Sequence, residues 1–226
     1  MKLVHIDVIV IFARTKREES APIRVFKALG GRGRQPQPEK GEVSINMMQD
    51  RTNIYWTREG CGILCEKVSN LDDCTDKIMD FLARANKAVP IRQMAGIQFD
   101  TKWIIETNDY DFSELEKRYR KAMLITPTGI DGTTIDSSAL FDIQLDSDSI
   151  LHHQSGAMRL RQLEEDILFF DPEELPKTFL FLEAQVERRE PMRYSDKEMR
   201  TALSVYRAYC ESHAAKIEKI WRKTIL

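Results

Sequence analysis

Polar and apolar positions alternate with period two over some stretches of the chain and recur at steps of three and four over others, so strands and helices can be told apart by period alone. Residues 2–13 (KLVHIDVIVIFA) are rich in valine and isoleucine without a breaker, which predicts a strand near the centre of a sheet. Residues 42–49, 53–57 and 62–68 predict a three-strand meander with turns at Asp50-Arg51 and Glu59-Gly60, and Tyr55 and Trp56 on opposite faces. Residues 139–146, 150–154 and 157–163 predict a second meander, with turns at Asp146-Ser147-Asp148 and Ser155-Gly156. Residues 93–106 and 178–188 predict two longer strands.

The helical period appears in four places. Residues 22–29 predict a short helix stopped by Gly30 and Gly31. Residues 71–88, capped by Asn70, put Cys74, Ile78, Phe81, Leu82 and Ala85 on an inner face and Asp72, Asp73 and Asp76 near the start, where the helix dipole favours acids. A third helix opens at Ser113, where Ser113-Glu114-Leu115-Glu116 has the spacing of a capping box. The fourth fills residues 195–226 and opens on a second such box, Ser195-Asp196-Lys197-Glu198. Behind it Met199, Leu203, Tyr206, Cys210, His213, Ile217, Ile220 and Thr224 fall at heptad steps, and Trp221 widens the stripe, so this helix must bury a face against a sheet or another chain.

These elements predict an α+β fold: a largely antiparallel sheet with helices on one face, a long C-terminal helix as brace, and the other sheet face free for contact. The chain reads as one compact unit of residues 1–226. Turn signals over residues 125–138 and the recurrence of meander, long strand and capped helix suggest an internal duplication with halves 1–124 and 135–226.

Composition narrows the function classes. The longest apolar run, Val8 to Ala13, is too short to span a bilayer, and no signal peptide is evident; a cytoplasmic protein is expected. Four cysteines without scaffold density predict reduced thiols. The net charge of -2 hides an asymmetry, with nine Lys/Arg against four acids in residues 1–41, seventeen against twenty-eight in 42–190 and seven against four in 195–226. Within the basic start, Arg24, Lys27, Arg32 and Arg34 are the candidates for phosphate contact, the last two on a glycine- and proline-rich arm at residues 30–41. That arm lacks the Gly-Lys-Ser/Thr of a phosphate loop.

Candidates for catalysis are sparse. Asp100-Thr101-Lys102 on a strand puts carboxylate and ammonium on one side, as metal-dependent nucleases do, but the second acid would have to be Glu66 or Asp80. His152-His153 near Ser155 lacks a nucleophile elbow and reads as hairpin surface. No metal, cofactor or catalytic residue is assigned. At residues 178–183 (TFLFLE), 212–217 (SHAAKI) and 221–224 (WRKT) the chain resembles a sporadically distributed family of uncharacterised bacterial proteins, with Trp221 where phenylalanine is usual. The resemblance implies a bacterial protein with a strand preceding a final helix, and supplies no activity. The expected function is therefore non-catalytic: a binding or assembly subunit engaging a protein partner, or itself as a homodimer, through Met199, Leu203, Tyr206, His213, Ile217 and Trp221. The alternatives are nucleic-acid binding through the basic start and, less favoured, a metal-dependent nuclease.

Overall fold

The computed structural model describes residues 1–13, 20–30, 43–47, 51–57, 59–67, 71–107, 109–123, 138–163 and 168–226. In chain order they form β1 (Lys2–Phe12), α1 (Ala21–Ala28), β2 (Val43–Met47), β3 (Thr52–Trp56), β4 (Gly60–Glu66), α2 (Leu71–Ala88), β5 (Gln93–Glu106), α3 (Phe112–Met123), β6 (Ser138–Gln144), β7 (Ser149–Arg159), α4 (Leu160–Leu163), a 3-10 turn at Pro172–Glu174, β8 (Thr178–Arg188), β9 (Met192–Arg193) and α5 (Asp196–Thr224). The nine strands make one sheet of order β2-β3-β4-β1-β5-β8-β7-β6, with β9 beside the start of β5. Every pairing is antiparallel. The α+β expectation holds. Among the described residues no helix is long and apolar enough to cross a membrane.

The element order repeats at a different point from the one the sequence suggested. β1-α1-β2-β3-β4-α2 is followed by β5-α3-β6-β7-β8-α5, with α4 and β9 as additions, and the two first strands lie side by side at the centre. Topology thus relates residues 2–88 to 93–224 rather than 1–124 to 135–226. The misreading has a local cause. Ser155-Gly156, taken for a turn, lies inside the continuous strand β7, so β8 is the third strand of the second meander and not a separate one.

The two faces of the sheet differ. On one, Ile6, Val8, Val10, Ile97, Phe99 and Val186 meet α2 and the first half of α5. The second half of α5 joins α3 over Leu180 and Leu182. On the other face, Ile104, Phe179 and Phe181 are covered by Leu163 and Leu175 at one end only. The remainder of that face mixes charged and polar side chains with Ile9, Ile11, Leu64 and Ile150. We call it the polar face.

Two helix starts refine the predicted caps. At α5 the Ser195 hydroxyl oxygen accepts the Glu198 N–H (3.2 Å), while the Glu198 carboxylate takes the Ser195 hydroxyl proton (2.9 Å) instead of a backbone amide. At α3 it is Asp111, not Ser113, that receives the Glu114 N–H (2.9 Å), because a carboxylate at the N-cap also answers the helix dipole.

The buried face of α5 consists of Met199, Leu203, Tyr206, Cys210, Ala214, Ile217, Trp221 and Ile225. Beyond Cys210 it leaves the heptad series, which called for His213, Ile220 and Thr224. A straight helix lying on a sheet keeps about 3.6 residues per turn and drifts off a seven-residue repeat; only a supercoil would hold the heptad in register. Ile220 is 44% exposed and Trp221 0%.

Candidate functional site on the polar face

Strand alternation puts His5 and Asp7 of β1, Asp100 and Lys102 of β5, and Glu183, Gln185 and Glu187 of β8 on the polar face. Cross-strand register lines up Asp7, Asp100, Gln185, His152 and Asp142 in one row. Glu66, His5, Lys102, Glu183 and Gln154 form the next. Glu66, His5 and Lys102 are buried despite their charge or polarity, at 2%, 3% and 8% exposure. Such burial is costly unless something answers each group.

At the margins of the rows the groups are answered. The Glu66 carboxylate accepts the backbone N–H of Leu168 and of Phe169, both at 2.8 Å, which pins the stretch before the 3-10 turn to β4. His152 lies between Asp142 (2.8 Å) and Glu187 (3.1 Å), and Glu187 also takes Arg189 (2.8 Å). That bond to Arg189 holds the Glu187 carboxyl below its usual range.

At the centre, burial shifts the carboxyls themselves. Burial, reinforced by the neighbouring Glu183 carboxylate, pushes the Asp100 carboxyl well above its usual range, against the opposing pull of Lys102. The Glu183 carboxylate beside it favours the protonated form of Asp100, because two like charges close together repel. Burial also pushes Asp7 up to about 6, although His5, Tyr55 and Lys102 work the other way. Asp100 Oδ1 and His5 Nδ1 are sealed from solvent without a hydrogen-bond partner. Perturbed carboxyls on adjacent central strands with an unanswered acceptor between them define the candidate site.

Tyr55 closes one side of it. Its hydroxyl lies 3.4 Å from both Asp7 carboxylate oxygens, and its ring passes over β4 at Gly62, where a Cβ would fall 2.2 Å from the Tyr55 oxygen and 2.7 Å from the Val8 carbonyl oxygen. Gly62→Ala is therefore expected to cost about 1–3 kcal/mol, read from the denaturant midpoint, since a backbone atom cannot swing aside as a side chain can. An unchanged midpoint would show that Tyr55 does not lie there.

A second polar group, on the opposite face, joins three elements. His213 Nε2 of α5 lies 2.7 Å from His153 Nδ1, His153 Nε2 2.6 Å from Ser155 Oγ, and Ser155 Oγ 2.8 Å from the Tyr119 hydroxyl of α3. Phe141 stacks on His153 at 4.1 Å. Here the hairpin-surface expectation is corrected: His153 is 2% and Ser155 0% exposed, because β7 runs on through this point beneath α3 and α5. Ser155 has no route to a substrate, and the chain of bonds ties α3, α5 and β7 together. Burial, then His213, lowers His153 to about 4.

Asp7 and His153 set opposite pH dependences. Asp7 holds its proton more tightly folded, at about 6, than at its ordinary 3.8, so this group adds stability as the pH falls through that window. His153 holds its proton less tightly folded, at about 4, than at its ordinary 6.5, and subtracts stability as the pH falls from 6.5 towards 4. Asp7→Asn removes one of the carboxyls that offset the histidine and should therefore lose more stability than the wild-type protein as the pH falls through this window, read in thermal melts. A variant with the wild-type pH profile would show that Asp7 titrates normally.

The residues expected to bind partners are placed as follows. Met199, Leu203, Tyr206, Ile217 and Trp221 are at most 5% exposed and are covered by the chain's own sheet and helices; His213 is half-buried against His153. The heptad stripe is thus not a surface for a second chain. The Arg24 guanidinium donates to the Ala88 carbonyl at the end of α2, Lys27 is exposed on α1, and Arg32 and Arg34 lie outside the described residues. Thr101 faces the helices and donates to the Ala184 carbonyl (2.9 Å), while Asp80 is exposed on α2 beside Arg84. Among the described residues no group of three or more histidine, cysteine or acidic side chains is arranged to hold a metal ion. The four cysteines are free and buried.

Sequence reasoning singled out Asp100 and Lys102 but not Asp7 or Glu183. Their signal was a lone acid at a polar-face position of an otherwise apolar strand, in LVHIDVIV and FLFLEAQV. No protein-family model matches the chain, and no curated protein matches it significantly.

Proposed function

We propose that the protein is a non-catalytic binding module whose recognition surface is the polar face of the sheet, and that its protein partner presents a lysine ammonium or arginine guanidinium to Asp7, Asp100 and Glu183. The observation that carries this reading is the gathering of Asp7, Asp100 and Glu183 on neighbouring strands of one sheet face, with an Asp100 oxygen that has no hydrogen-bond partner. A cation that displaces what now seals that oxygen from solvent gives it a donor and favours the carboxylate form of Asp100, so its proton leaves to solvent.

The test uses a hexa-arginine peptide as probe, with polyphosphate as the opposite charge. The peptide should bind saturably, more weakly at high salt and at low pH, and Asp100→Asn with Glu183→Gln should weaken it at least about tenfold. No binding, or equal binding by the double variant, would refute the reading. Salt-sensitive retention of polyphosphate, lost when Arg32 and Arg34 become alanine, would move the function to the basic start of the chain.

A further inference from the structure

Among the described residues the outer edge of β6 is an open strand edge, and its composition is unusual. Among the described residues no strand pairs with it, and Leu140, Phe141 and Ile143 are 69%, 42% and 37% exposed. Natural sheets guard such edges with lysine, proline, a bulge or a covering element, because unpaired N–H and C=O groups recruit other strands. Residues 138–144 (SALFDIQ) contain no lysine, arginine or proline, and their one charge, Asp142, is paired with His152 at 2.8 Å. The pairing with β7 runs from Ser138 to Gln144 without a register shift, so no bulge turns the edge away.

The direction of the backbone groups determines which register a second strand can take. Leu145 N–H bonds the Ser149 carbonyl at 3.0 Å, and Leu145 continues the β6–β7 ladder. Odd-numbered residues of β6 therefore turn N–H and C=O towards β7, and Ser138, Leu140, Asp142 and Gln144 turn theirs outwards. An antiparallel partner of the same sequence centred on Phe141 sets Leu140 opposite Asp142 and Ser138 opposite Gln144, all outward-facing residues, so every outward group finds its mate. Phe141 then meets Phe141, and Ala139 meets Ile143, at the closer non-hydrogen-bonded positions. On the helix side this makes a continuous apolar stripe; on the polar side it pairs Ser138 with Gln144 and sets Leu140 beside Asp142. The backbone groups and the helix-side stripe are complementary to themselves.

We infer that two copies of the chain join through β6 in an antiparallel, two-fold pairing centred on Phe141, which continues the sheet from one protomer into the next. The interface is closed, so it gives a dimer and no fibre. It also sets two polar faces side by side on one surface.

Single-cysteine cross-linking in the full chain tests this, because the native thiols are buried. In the pairing, residue 141 faces its own copy with Cα atoms about 4.5 Å apart, within disulfide reach. Residue 140 is diagonal to its copy at about 7–8 Å, beyond it. Phe141→Cys should therefore form a disulfide-linked dimer under mild oxidation and Leu140→Cys should not, although Leu140 is the more exposed. Sedimentation should give a dimer for the wild-type chain. Leu140→Pro, which removes an outward N–H that no described strand of the monomer takes up, should weaken association at least about tenfold with an unchanged circular dichroism spectrum. A monomer at all concentrations, an open series of larger oligomers, or cross-linking of Leu140→Cys as fast as Phe141→Cys would overturn the inference. If Leu140→Pro fails to fold, the cross-linking comparison still decides.

Discussion

Lys102→Met should destabilise the protein by about 3–5 kcal/mol at neutral pH, because it withdraws the ammonium that opposes the charge of Asp7 and Asp100 in a buried setting. The side chain is 8% exposed, so water cannot take its place without opening the face. Methionine keeps nearly the same volume, which separates the electrostatic loss from a packing loss. Two further results distinguish this account from a generic core defect. Lowering the pH from 7 to 5 should narrow the gap between variant and wild type, since protonated carboxyls no longer need the ammonium. Adding Asp100→Asn and Glu183→Gln should restore most of the stability. Denaturant midpoints at the two pH values measure both. A deficit that is independent of pH and not rescued would mean that Lys102 acts by packing alone.

Trp221→Ala should cost about 3–5 kcal/mol, the range for removing a fully buried aromatic side chain. The indole lies in the cluster that joins α3 to Leu180 and Leu182 in the first half of β8 and meets the Tyr119 ring edge-on at 6.3 Å, so its loss also loosens the chain of bonds from Tyr119 to His213. Ile220→Ala, one residue away, should change stability by less than about 0.5 kcal/mol, because that side chain is half in solvent. The contrast is a direct test of the register of α5. A seven-residue repeat buries Ile220; a helix of 3.6 residues per turn on a sheet buries Trp221. Comparable losses in the two variants would contradict the observed packing.

Much of this architecture is legible in the residues, and what is not has identifiable causes. The strands of β1, β5 and β8 are marked by long alternating runs of branched and aromatic side chains, and α5 by its cap and its apolar period. Period counting erred where two periods nearly coincide, over the first half of α5, and only the second half separates them. Ser155-Gly156 misled because the usual turn signal, a small polar residue before glycine, also suits a strand position where a buried hydroxyl bonds His153 and Tyr119 and the chain needs no side chain at the next place. The candidate site was half visible. Asp-x-Lys on one strand is a local pattern, whereas the pairing of Asp7 with Asp100 and of Lys102 with Glu183 depends on register between strands far apart in sequence. A polar residue interrupting a buried strand was the one cue available, and it does not reveal what lies opposite.

The claim on which the functional reading rests is that the buried Asp100 carboxyl holds its proton to higher pH than an ordinary carboxyl. Infrared difference spectroscopy of the folded protein at pH 7, with and without Asp100→Asn, measures this most directly. The account predicts a protonated-carboxyl stretch in the wild-type protein that vanishes in the variant; a spectrum with only carboxylate bands, or a band that survives the substitution, would contradict it.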